Sequence, residues 1–493
     1  MAPNSLTQKA APERLEASIG PDVLWAPVSS TVLTRGERRL EASNFLTDGF
    51  GLRQGLEAVS STVPMAEMAE VWQPSRLKGY QVRAGKGLPF LSAGQVFESQ
   101  PRVRKWLAEA MVPAVESRYL NPEWLLMSCS GEVGRVTAVY EEHLDKVVTH
   151  DLLRVVAKDR RDRGWLYAYM KTPTFYAIAR SSQYGHMIKH LEPEHVLKMP
   201  VAMPNEATRH KIGQDANNAL AARQASRALQ KRADDAYAKL VNPEGTHVRD
   251  TPIATVSVSD VVTGRRRMEG QFYRADVLQV EQRITRAGKE VQRLADVVQS
   301  VSVGARFKRH FGANGTPYRS ASELFDVNPS VTKRIYSALL PAPERYMLKE
   351  GWIIMACSGQ TYGLLGRTMV LTENHDGVFG SHDLIRIVPD QRLARTGYIQ
   401  TVLNHPDYGR PRVVRYASGT SVPHLDPPDI REVPIPRFDS AAENEIADLS
   451  DEATRLAAEA DRIETTAVRA AENAISTVTG RRGALTLVGG SEE

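Results

Sequence analysis

Apolar and polar residues recur at helical spacing in two long stretches of the sequence, residues 205–240 and 440–476. Neither stretch contains proline, and both are rich in good helix formers such as alanine, leucine and arginine. We therefore predict two helices, each roughly 54 Å long at about 1.5 Å per residue. Asn205 and Ser440 are the predicted N-caps.

The apolar positions of the two stretches approach the three-four alternation of a coiled coil. In the second stretch they are Ile446, Leu449, Ala453, Leu456, Ala460 and Ile463. In the first they are richer in alanine: Ile212, Ala216, Ala219, Ala222, Ala225, Leu229, Ala233, Ala236 and Leu240. A single amphipathic helix of this length needs a partner to cover its apolar face, and we predict that each helix is the partner of the other.

Short apolar runs of strand character precede each long stretch, and they occur twice. Residues 124–131 (WLLMSCSG) match residues 352–359 (WIIMACSG) at an offset of 352 − 124 = 228. Residues 39–45 match 267–273 at the same offset, 149–156 match 381–388 at 232, and 190–193 match 424–427 at 234. Matched blocks in the same order indicate an internal duplication.

The predicted fold class is α+β. It consists of two homologous α/β domains separated by two long antiparallel coiled-coil helices, related by an internal pseudo-two-fold axis. The globular domains are expected at opposite ends of the helix pair. The predicted boundaries are a first domain over 1–203, a first long helix over 204–241, a second domain over 242–438, a second long helix over 439–480 and a disordered tail over 481–493.

Composition limits the possible classes of function. The net charge of +5 over 493 residues permits a nucleic-acid partner without requiring one. The two cysteines, Cys129 and Cys357, form no CxxC pair, and no run of 18 apolar residues occurs. We expect a cytoplasmic protein without a signal peptide or a membrane partner.

Candidate catalytic groups all fall in the duplicated framework. Cys129 and Cys357 lie inside apolar runs, where a free cysteine is commonly buried, and His150 and His382 open equivalent strands. The sequence contains no Asn-Pro-Pro-aromatic motif of a methyltransferase and no P-loop. We predict no catalytic residue, no metal site and no cofactor on this chain.

The order of these blocks, repeated with a long helix after each, resembles the DNA-specificity subunit of a type I restriction–modification system. The resemblance covers roughly residues 28–476. It rests on Arg39-Leu-Glu-Ala with Phe45 and Arg267-Met-Glu-Gly with Phe272 and Tyr273, the two Ser-Gly strand ends, the His-Asp-Leu strands and the His-Leu-acid-Pro runs. Residues 46–88 match no motif of that family.

The resemblance implies a non-catalytic subunit of a phage-defence methyltransferase and endonuclease complex in a bacterial or archaeal cytoplasm. Each target-recognition domain would read one half of a bipartite, asymmetric site in double-stranded DNA. The helices would set the spacing between the halves and dock two methyltransferase (modification) subunits. S-adenosylmethionine would belong to those partners, and restriction or translocase subunits are further partners that the resemblance allows.

Basic and polar loops are the candidate DNA contacts, because such side chains can bind phosphates and base edges; solvated surface charge is the alternative for each. In the first domain they are Arg102, Arg104, Lys105, Ser181, Ser182, Gln183, Tyr184 and Lys189. In the second they are Arg306, Lys308, Arg309, Lys333, Arg334, Arg412, Arg415, Ser418 and Thr420.

Two other classes of function stay open. The modest net charge is compatible with an interaction scaffold of a phage-defence complex that lacks sequence readout. A cysteine hydrolase would need Cys129 or Cys357 as an activated nucleophile.

Overall fold

The computed structural model describes residues 28, 30, 41–185, 189–246, 254–263, 267–327, 329, 333–340 and 342–480. The predictions for Arg39 and for a disordered tail over 481–493 lie outside these residues. We refer to the elements before residue 206 as the first half of the chain and to those between residues 242 and 439 as the second half; the two long helices belong to neither.

The helices of the described residues include two that are far longer than the rest. The α-helices are α1 (Asp48–Glu57), α2 (Met65–Met68), α3 (Ala93–Val96), α4 (Arg163–Met170), α5 (Pro173–Ser181), α6 (Pro193–Leu197), α7 (Glu206–Val241), α8 (Val258–Thr263), α9 (Ala275–Ala287), α10 (Leu294–Val297), α11 (Ala321–Leu324), α12 (Thr396–Asn404), α13 (Arg410–Val414), α14 (Pro427–Arg431) and α15 (Ser440–Thr479). Short 3-10 helices lie at Ala42–Asn44, Glu109–Met111, Val115–Arg118, Glu141–His143, Arg160–Asp162, Ser337–Leu339, Pro343–Tyr346 and Glu373–His375.

The strands of the two halves form sheets of matching order. The first half contains β1 (Thr62–Pro64), β2 (Ala69–Trp72), β3 (Gln81–Val82), β4 (Leu88–Leu91), β5 (Lys105–Leu107), β6 (Leu125–Ser128), β7 (Val136–Ala138), β8 (Val147–Val148), β9 (Leu152–Ala157) and β10 (Pro200–Ala202). The second contains β11 (Glu290–Arg293), β12 (Val298–Val303), β13 (Phe311–Arg319), β14 (Lys333–Ile335), β15 (Ile353–Ala356), β16 (Thr368–Val370), β17 (Phe379–Gly380), β18 (Leu384–Pro389) and β19 (Pro434–Arg437).

The sheet topology repeats between the halves. The four-stranded sheet β2-β9-β6-β7 has its counterpart in β12-β18-β15-β16, and the pair β1-β10 has its counterpart in β11-β19. A smaller sheet, β3-β5-β4-β8 in the first half, corresponds to β14-β13-β17 in the second. The strands β6 and β15, which carry the apolar runs before Ser-Gly, are buried along their whole length.

The long helices α7 and α15 run antiparallel against each other. Ser226 Oγ donates to the carbonyl of Ala453 at 2.6 Å, and Ser450 Oγ donates to Gln230 Oε1 at 3.2 Å. The start of α7 shares a hydrophobic core with the end of α15 and with the first half, and the end of α7 shares one with the start of α15 and with the second half.

The middle of the helix pair differs from the predicted alanine seam. Ala225, predicted in the seam, is exposed, whereas Arg223, Ser226 and Arg227 are buried. The Arg223 guanidinium forms an ion pair with the buried Glu464 of α15, which also contacts Lys171. Buried charges persist only when they are paired, and this cluster satisfies that condition.

The predicted helix starts are correct in one case and wrong in the other. Asn205 caps α7, its side chain accepting a hydrogen bond from the Thr208 N–H at 2.9 Å. Ser440 is already the first residue of α15, and Asp439 occupies the cap position. The Phe438 N–H instead reaches the Glu443 carboxylate at 2.8 Å, so a residue one turn into the helix satisfies the backbone there.

Candidate nucleic-acid interface

The smaller sheet of each half has the same register. Phe90 of β4 pairs with Lys105 of β5, and Tyr318 of β13 pairs with Lys333 of β14. Both residues of the second pair follow those of the first by 228 positions. The smaller sheets are therefore equivalent, and each presents an exposed lysine on its second hairpin strand.

A glycine permits the close backbone approach in each of these hairpins. A Cβ atom on Gly87 would lie 2.2 Å from the carbonyl oxygen of Leu107, and one on Gly315 would lie 2.5 Å from that of Ile335. Any side chain would therefore push the strands apart. Each glycine begins the same short pattern, Gly-x-Pro-aromatic, over residues 87–90 and 315–318.

The loop that enters the first small sheet is strongly basic and solvent-exposed. We call this surface the first basic tip; it comprises residues 75–86 and Lys105. Its exposed cations are Arg76, Lys78, Arg83, Lys86 and Lys105, and Tyr80 is 55% exposed beside them. No acidic residue occurs in the sequence between Glu70 and Glu98.

The equivalent surface of the second half is the second basic tip, residues 306–314 with Lys333 and Arg334. Its exposed cations are Arg306, Lys308, Arg309, Lys333 and Arg334, and Phe311 and Tyr336 are partly exposed among them. The sequence has no acidic residue between Asp296 and Glu323.

Ion pairs reduce the charge of the second basic tip. Arg309 lies 3.2 Å from an Asp383 carboxylate oxygen, and Lys333 lies 3.6 Å from Glu323. Arg334 donates to the carbonyl of Gly315 at 2.7 Å. The two tips therefore share a position in the fold while differing in residue types and in net charge.

Local clustering of cations is the electrostatic feature that favours phosphate binding. The whole chain carries 63 basic and 58 acidic residues, so a random surface would be nearly balanced. Both basic tips depart from that balance, and both combine guanidinium or ammonium donors with exposed aromatic rings. Such a surface can contact phosphates through its cations and base edges or base faces through its rings.

Four predicted contact residues lie inside the protein. Ser181 and Ser182 are buried, and both hydroxyls donate to the carbonyl of Ile178 at 2.8 and 2.9 Å. Arg412 is fully buried and donates to the carbonyls of Tyr408 and Pro434, each at 2.6 Å. This burial contradicts the prediction that these side chains contact DNA.

Arg415 is the fourth of these residues. It is 6% exposed, forms an ion pair with Glu281 and stacks over the Phe272 ring at 4.1 Å. Arg267 donates to the neighbouring carbonyl of Tyr416 at 2.9 Å. The duplicated Arg-x-(Asp/Glu) block of the second half therefore packs against residues 415–416, and Arg415 stabilises that contact through Phe272.

Arg102 and Arg104 lie where the two halves of the chain meet. Arg102 donates to the carbonyl of Asn404, in the second half, at 2.6 Å, and Arg104 forms an ion pair with Glu98. Burial lowers the pKa of Arg102 to about 9, and the nearby Arg367 and Arg410 lower it further. These two arginines are held in protein contacts rather than presented to solvent.

The remaining predicted residues of the polar loops surround the two His-Leu-acid-Pro runs. Tyr184 bridges to His190, and Ser418 bridges to His424 in the same way. Tyr184 donates to Glu192 at 2.5 Å. Gln183, Lys189 and Ser418 are partly buried, whereas Thr420 is exposed. A DNA contact from these loops stays a prediction.

The two cysteines of the framework lack the features of an activated nucleophile. Burial raises the pKa of both Cys129 and Cys357 to about 12, so neither is a thiolate near neutral pH. The backbone N–H of Leu77 donates to His150 Nδ1 at 3.3 Å, which is a structural role. Within the described residues, no cluster of histidine, cysteine and carboxylate side chains has metal-binding geometry, and no helix could cross a membrane.

Much of the first basic tip was not predicted. Arg76, Lys78, Tyr80, Arg83 and Lys86 fall in the stretch 46–88, which matched no family motif. The Gly-x-Pro-aromatic pattern was the available signal, because it repeats at the offset of 228 and aligns Lys78 with Arg306.

Comparison with known proteins gives structural neighbours but no sequence relatives. No protein-family model and no curated protein matches the chain. The type I restriction–modification S subunit of M. genitalium is 10% identical, with a TM-score of 0.36, over 85% of this chain and 96% of that one. The HsdS subunit of Thermoanaerobacter tengcongensis is 13% identical, with a TM-score of 0.25, over 86% and 97%.

A third solved structure comes from work on complex assembly and conformational transition of the type I R-M system. It is 12% identical, with a TM-score of 0.26, over 85% of this chain and 97% of that one.

Proposed function

We propose that this chain is the DNA-specificity subunit of a type I restriction–modification system. In this proposal the first and second basic tips each read one half of a split site in double-stranded DNA. The observation that carries it is an exposed cluster of cations, entered by a stretch of sequence without acidic residues, at the same place in both halves of a duplicated fold.

The target sequence is expected to be asymmetric. The first basic tip reads RLKGYQVRAGK over residues 76–86, and the second reads RFKRHFGANG over residues 306–315. Base-edge readout depends on side-chain type, so unlike tips select unlike half-sites. The equivalent small sheets place the two tips at the same position in each half, and the different side chains of the tips are expected to select different DNA sequences.

The antiparallel helices α7 and α15 are proposed as a coiled-coil spacer and as the docking surface for partners. A pseudo-two-fold axis offers two equivalent surfaces, which suits two copies of one partner. We propose that these partners are the methyltransferase subunits, which would carry S-adenosylmethionine and the catalytic groups. Restriction or translocase subunits would join that assembly in the cytoplasm.

Salt dependence of DNA binding tests the role of the basic tips. For B-DNA, log K falls with log salt with a slope of about −0.9 per phosphate neutralised. The chain in complex with its methyltransferase partner is therefore expected to show a steep slope. Substituting Arg76, Lys78 and Arg83 with alanine together should lower its magnitude by about 2 to 3.

A matched control is Arg293→Ala on β11, outside both tips and both long helices, where the arginine is exposed but pairs with Asp296 at 2.7 Å. Its slope should equal that of the unchanged chain. A shallow slope in the unchanged complex would instead favour the interaction scaffold without sequence readout. An unchanged slope in the triple variant would remove the first basic tip from the binding surface.

A further inference from the structure

The two halves of the chain meet directly at equivalent residues. Glu98 and Asp326, which are 326 − 98 = 228 positions apart, form an antiparallel β-bridge. The Ser99 N–H donates to the carbonyl of Phe325 at 2.8 Å, and the Val327 N–H donates to that of Phe97 at 2.7 Å. A contact between equivalent residues lies on the pseudo-two-fold axis, so we call this surface the axial interface; it comprises residues 97–100 and 325–327 with Arg135 and Arg367.

Two reciprocal ion pairs flank the bridge. Arg135 of the first half donates to Asp326 of the second at 2.9 Å, and Arg367 of the second donates to Glu98 of the first at 2.6 Å. Arg135 and Arg367 are themselves equivalent, at 367 − 135 = 232. Each guanidinium also lies over a phenylalanine ring of its own half. Arg135 lies over Phe97 at 4.2 Å, and Arg367 lies over Phe325 at 5.4 Å.

The Arg367–Glu98 side of the axial interface is buried, the Arg135–Asp326 side is partly buried, and the interface contacts the helix pair. Arg367 and Glu98 are 1% and 6% exposed. Arg227, from the middle of α7, donates to the carbonyl of Glu98 at 3.2 Å. Asn374, in the second half, donates to the carbonyl of Ala458 of α15 at 2.9 Å. The middle of the helix pair therefore contacts both halves beside the axial interface, α7 through Arg227 and α15 through Asn374.

We propose that the axial interface, and not the helix pair alone, fixes the distance between the two half-sites that the chain recognises. Arg135, Asp326, Glu98 and Arg367 are its specificity-determining positioning residues. This inference rests on the proposed function. In this inference the direct contact between the two halves, which we also call the clamp, sets the distance between the two basic tips and so the spacing of the target.

The geometry of DNA shows why such a clamp would be selective. Adding one base pair between half-sites moves one of them by about 3.4 Å along the duplex and turns it by roughly 35°, since a turn holds 10–10.5 pairs. A shift of that size exceeds the length of the hydrogen bonds in the axial interface. The two tips could therefore follow it only if the bridge and both ion pairs opened.

The test uses Arg135→Asp, Asp326→Arg and the double charge swap that carries both. Arg160→Asp is the matched control, because Arg160 is 82% exposed in its pair with Glu123 and lies outside the axial interface and both tips. All measurements are made at pH 8, since burial raises the pKa of Asp326 to about 6 and the carboxylate must be ionised.

Two readouts are taken on each variant. The first is the distance distribution between spin labels at Ser60→Cys and Gln282→Cys, exposed positions in the two halves, in a chain with Cys129 and Cys357 replaced by serine. The second is the affinity of the chain, with its methyltransferase partner, for duplexes whose half-sites are one base pair closer, correctly spaced or one base pair further apart.

We expect one narrow distance in the unchanged chain and a broad distribution in each single variant. The preference for the correct spacing should fall at least tenfold in the single variants, which is about 1.4 kcal/mol. The double swap should restore both readouts, and Arg160→Asp should alter neither. If Arg135→Asp does not fold, Arg135→Gln makes the same comparison with a milder change.

The outcomes separate this inference from the proposed function. A narrow distance in the single variants would overturn the clamp. A broad distance with an unchanged preference for spacing would assign the spacing to the helices and overturn the inference. If the unchanged complex shows no preference among the duplexes, the proposed function fails and the role in spacing fails with it, while the distance measurement still reports on the clamp.

Discussion

Several arginines of this protein lie in the interior and stabilise the fold. Arg154 and Arg386 occupy equivalent positions in β9 and β18 and are buried in the core, donating to backbone carbonyls such as those of Leu152 at 2.5 Å and Leu384 at 2.9 Å. Burial lowers the pKa of both to about 10. A basic residue in the sequence therefore does not by itself indicate a DNA contact.

Substitutions of the buried Arg412 and the exposed Lys105 test this distinction between structural and DNA-binding basic residues. Arg412→Ala leaves buried carbonyls without donors and should lower the free energy of unfolding by about 2–5 kcal/mol. Lys105→Ala removes an exposed cation of the first basic tip and should change stability by less than about 0.5 kcal/mol while weakening DNA binding. Urea unfolding and salt-dependent binding distinguish the two; a stable Arg412→Ala variant that loses affinity would return Arg412 to the binding surface.

Glu464 makes the stability of the helix pair depend on pH. Burial alone would raise the pKa of this carboxyl group, but Arg223 and Lys171 outweigh it and lower the pKa from 4.5 to about 2. A pKa that folding depresses contributes stability above the unfolded value, and that stability is lost as pH falls through the folded value. The contribution is therefore complete above pH 4.5 and disappears toward pH 2.

Glu464→Gln should lower the free energy of unfolding at pH 7 by about 3–5 kcal/mol, because Arg223 and Lys171 lose their buried partner. Its stability should also vary less between pH 4.5 and 2. Glu459→Gln is the control on the same helix, where the carboxylate pairs with the exposed Arg455, and it should change stability by under about 0.5 kcal/mol. Equal losses in both variants would contradict a special role for Glu464.

Among the elements, the strongest periodic patterns were the most predictable. The stretches 205–240 and 440–476 form α7 and α15 almost to the residue, because propensity and amphipathic spacing agree along them. The middle of the seam was not predictable. Arg223 and Glu464 are buried there as a pair, and a pattern of apolar residues in one stretch carries no information about a charged partner 241 positions away.

Glycine sets the distance between short and long helices. A Cβ atom on Gly164 of α4 would lie 2.1 Å from the carbonyl oxygen of Gly213 in α7, and one on Gly397 of α12 would lie 2.7 Å from that of Ala447 in α15. The same contact thus recurs in both halves. Each small helix lies directly on a backbone of the helix pair.

Gly164→Ala should therefore separate α4 from α7 and lower the free energy of unfolding by about 1–3 kcal/mol, as overpacking does. Gly51→Ala in α1 is the matched control, since a Cβ there meets nothing within 4 Å, and it should be neutral or stabilising by up to about 1 kcal/mol. Thermal unfolding of both variants decides the matter, and an unchanged midpoint for Gly164→Ala would contradict the close contact.

The candidate site was only partly predictable from the sequence. Lys105 and Lys333 were predicted and lie on equivalent exposed strands, whereas Arg412 and Ser181 were predicted and are buried. Charge marks both classes of residue alike, and only packing separates them. Conversely, Arg83 was missed because its stretch carries no long apolar period from which a strand could be inferred.

At the scale of the whole molecule, the halves do more than occupy opposite ends of the helix pair. They also meet over its middle, through Glu98, Asp326, Arg135 and Arg367. The duplication was legible in the sequence, but the contact between copies was not, since it is made by two short loops without periodicity. The resulting molecule presents two related but unlike basic tips on one clamped frame.

Two basic tips of different sequence, held at a fixed distance in one chain, require a DNA target with two different halves. Footprinting of the chain with its methyltransferase partner on a mixture of genomic fragments tests this requirement most directly. We predict one shared target made of two different protected blocks, separated by an intervening segment of constant length. Uniform protection of unrelated fragments, or a single continuous protected block, would contradict the account.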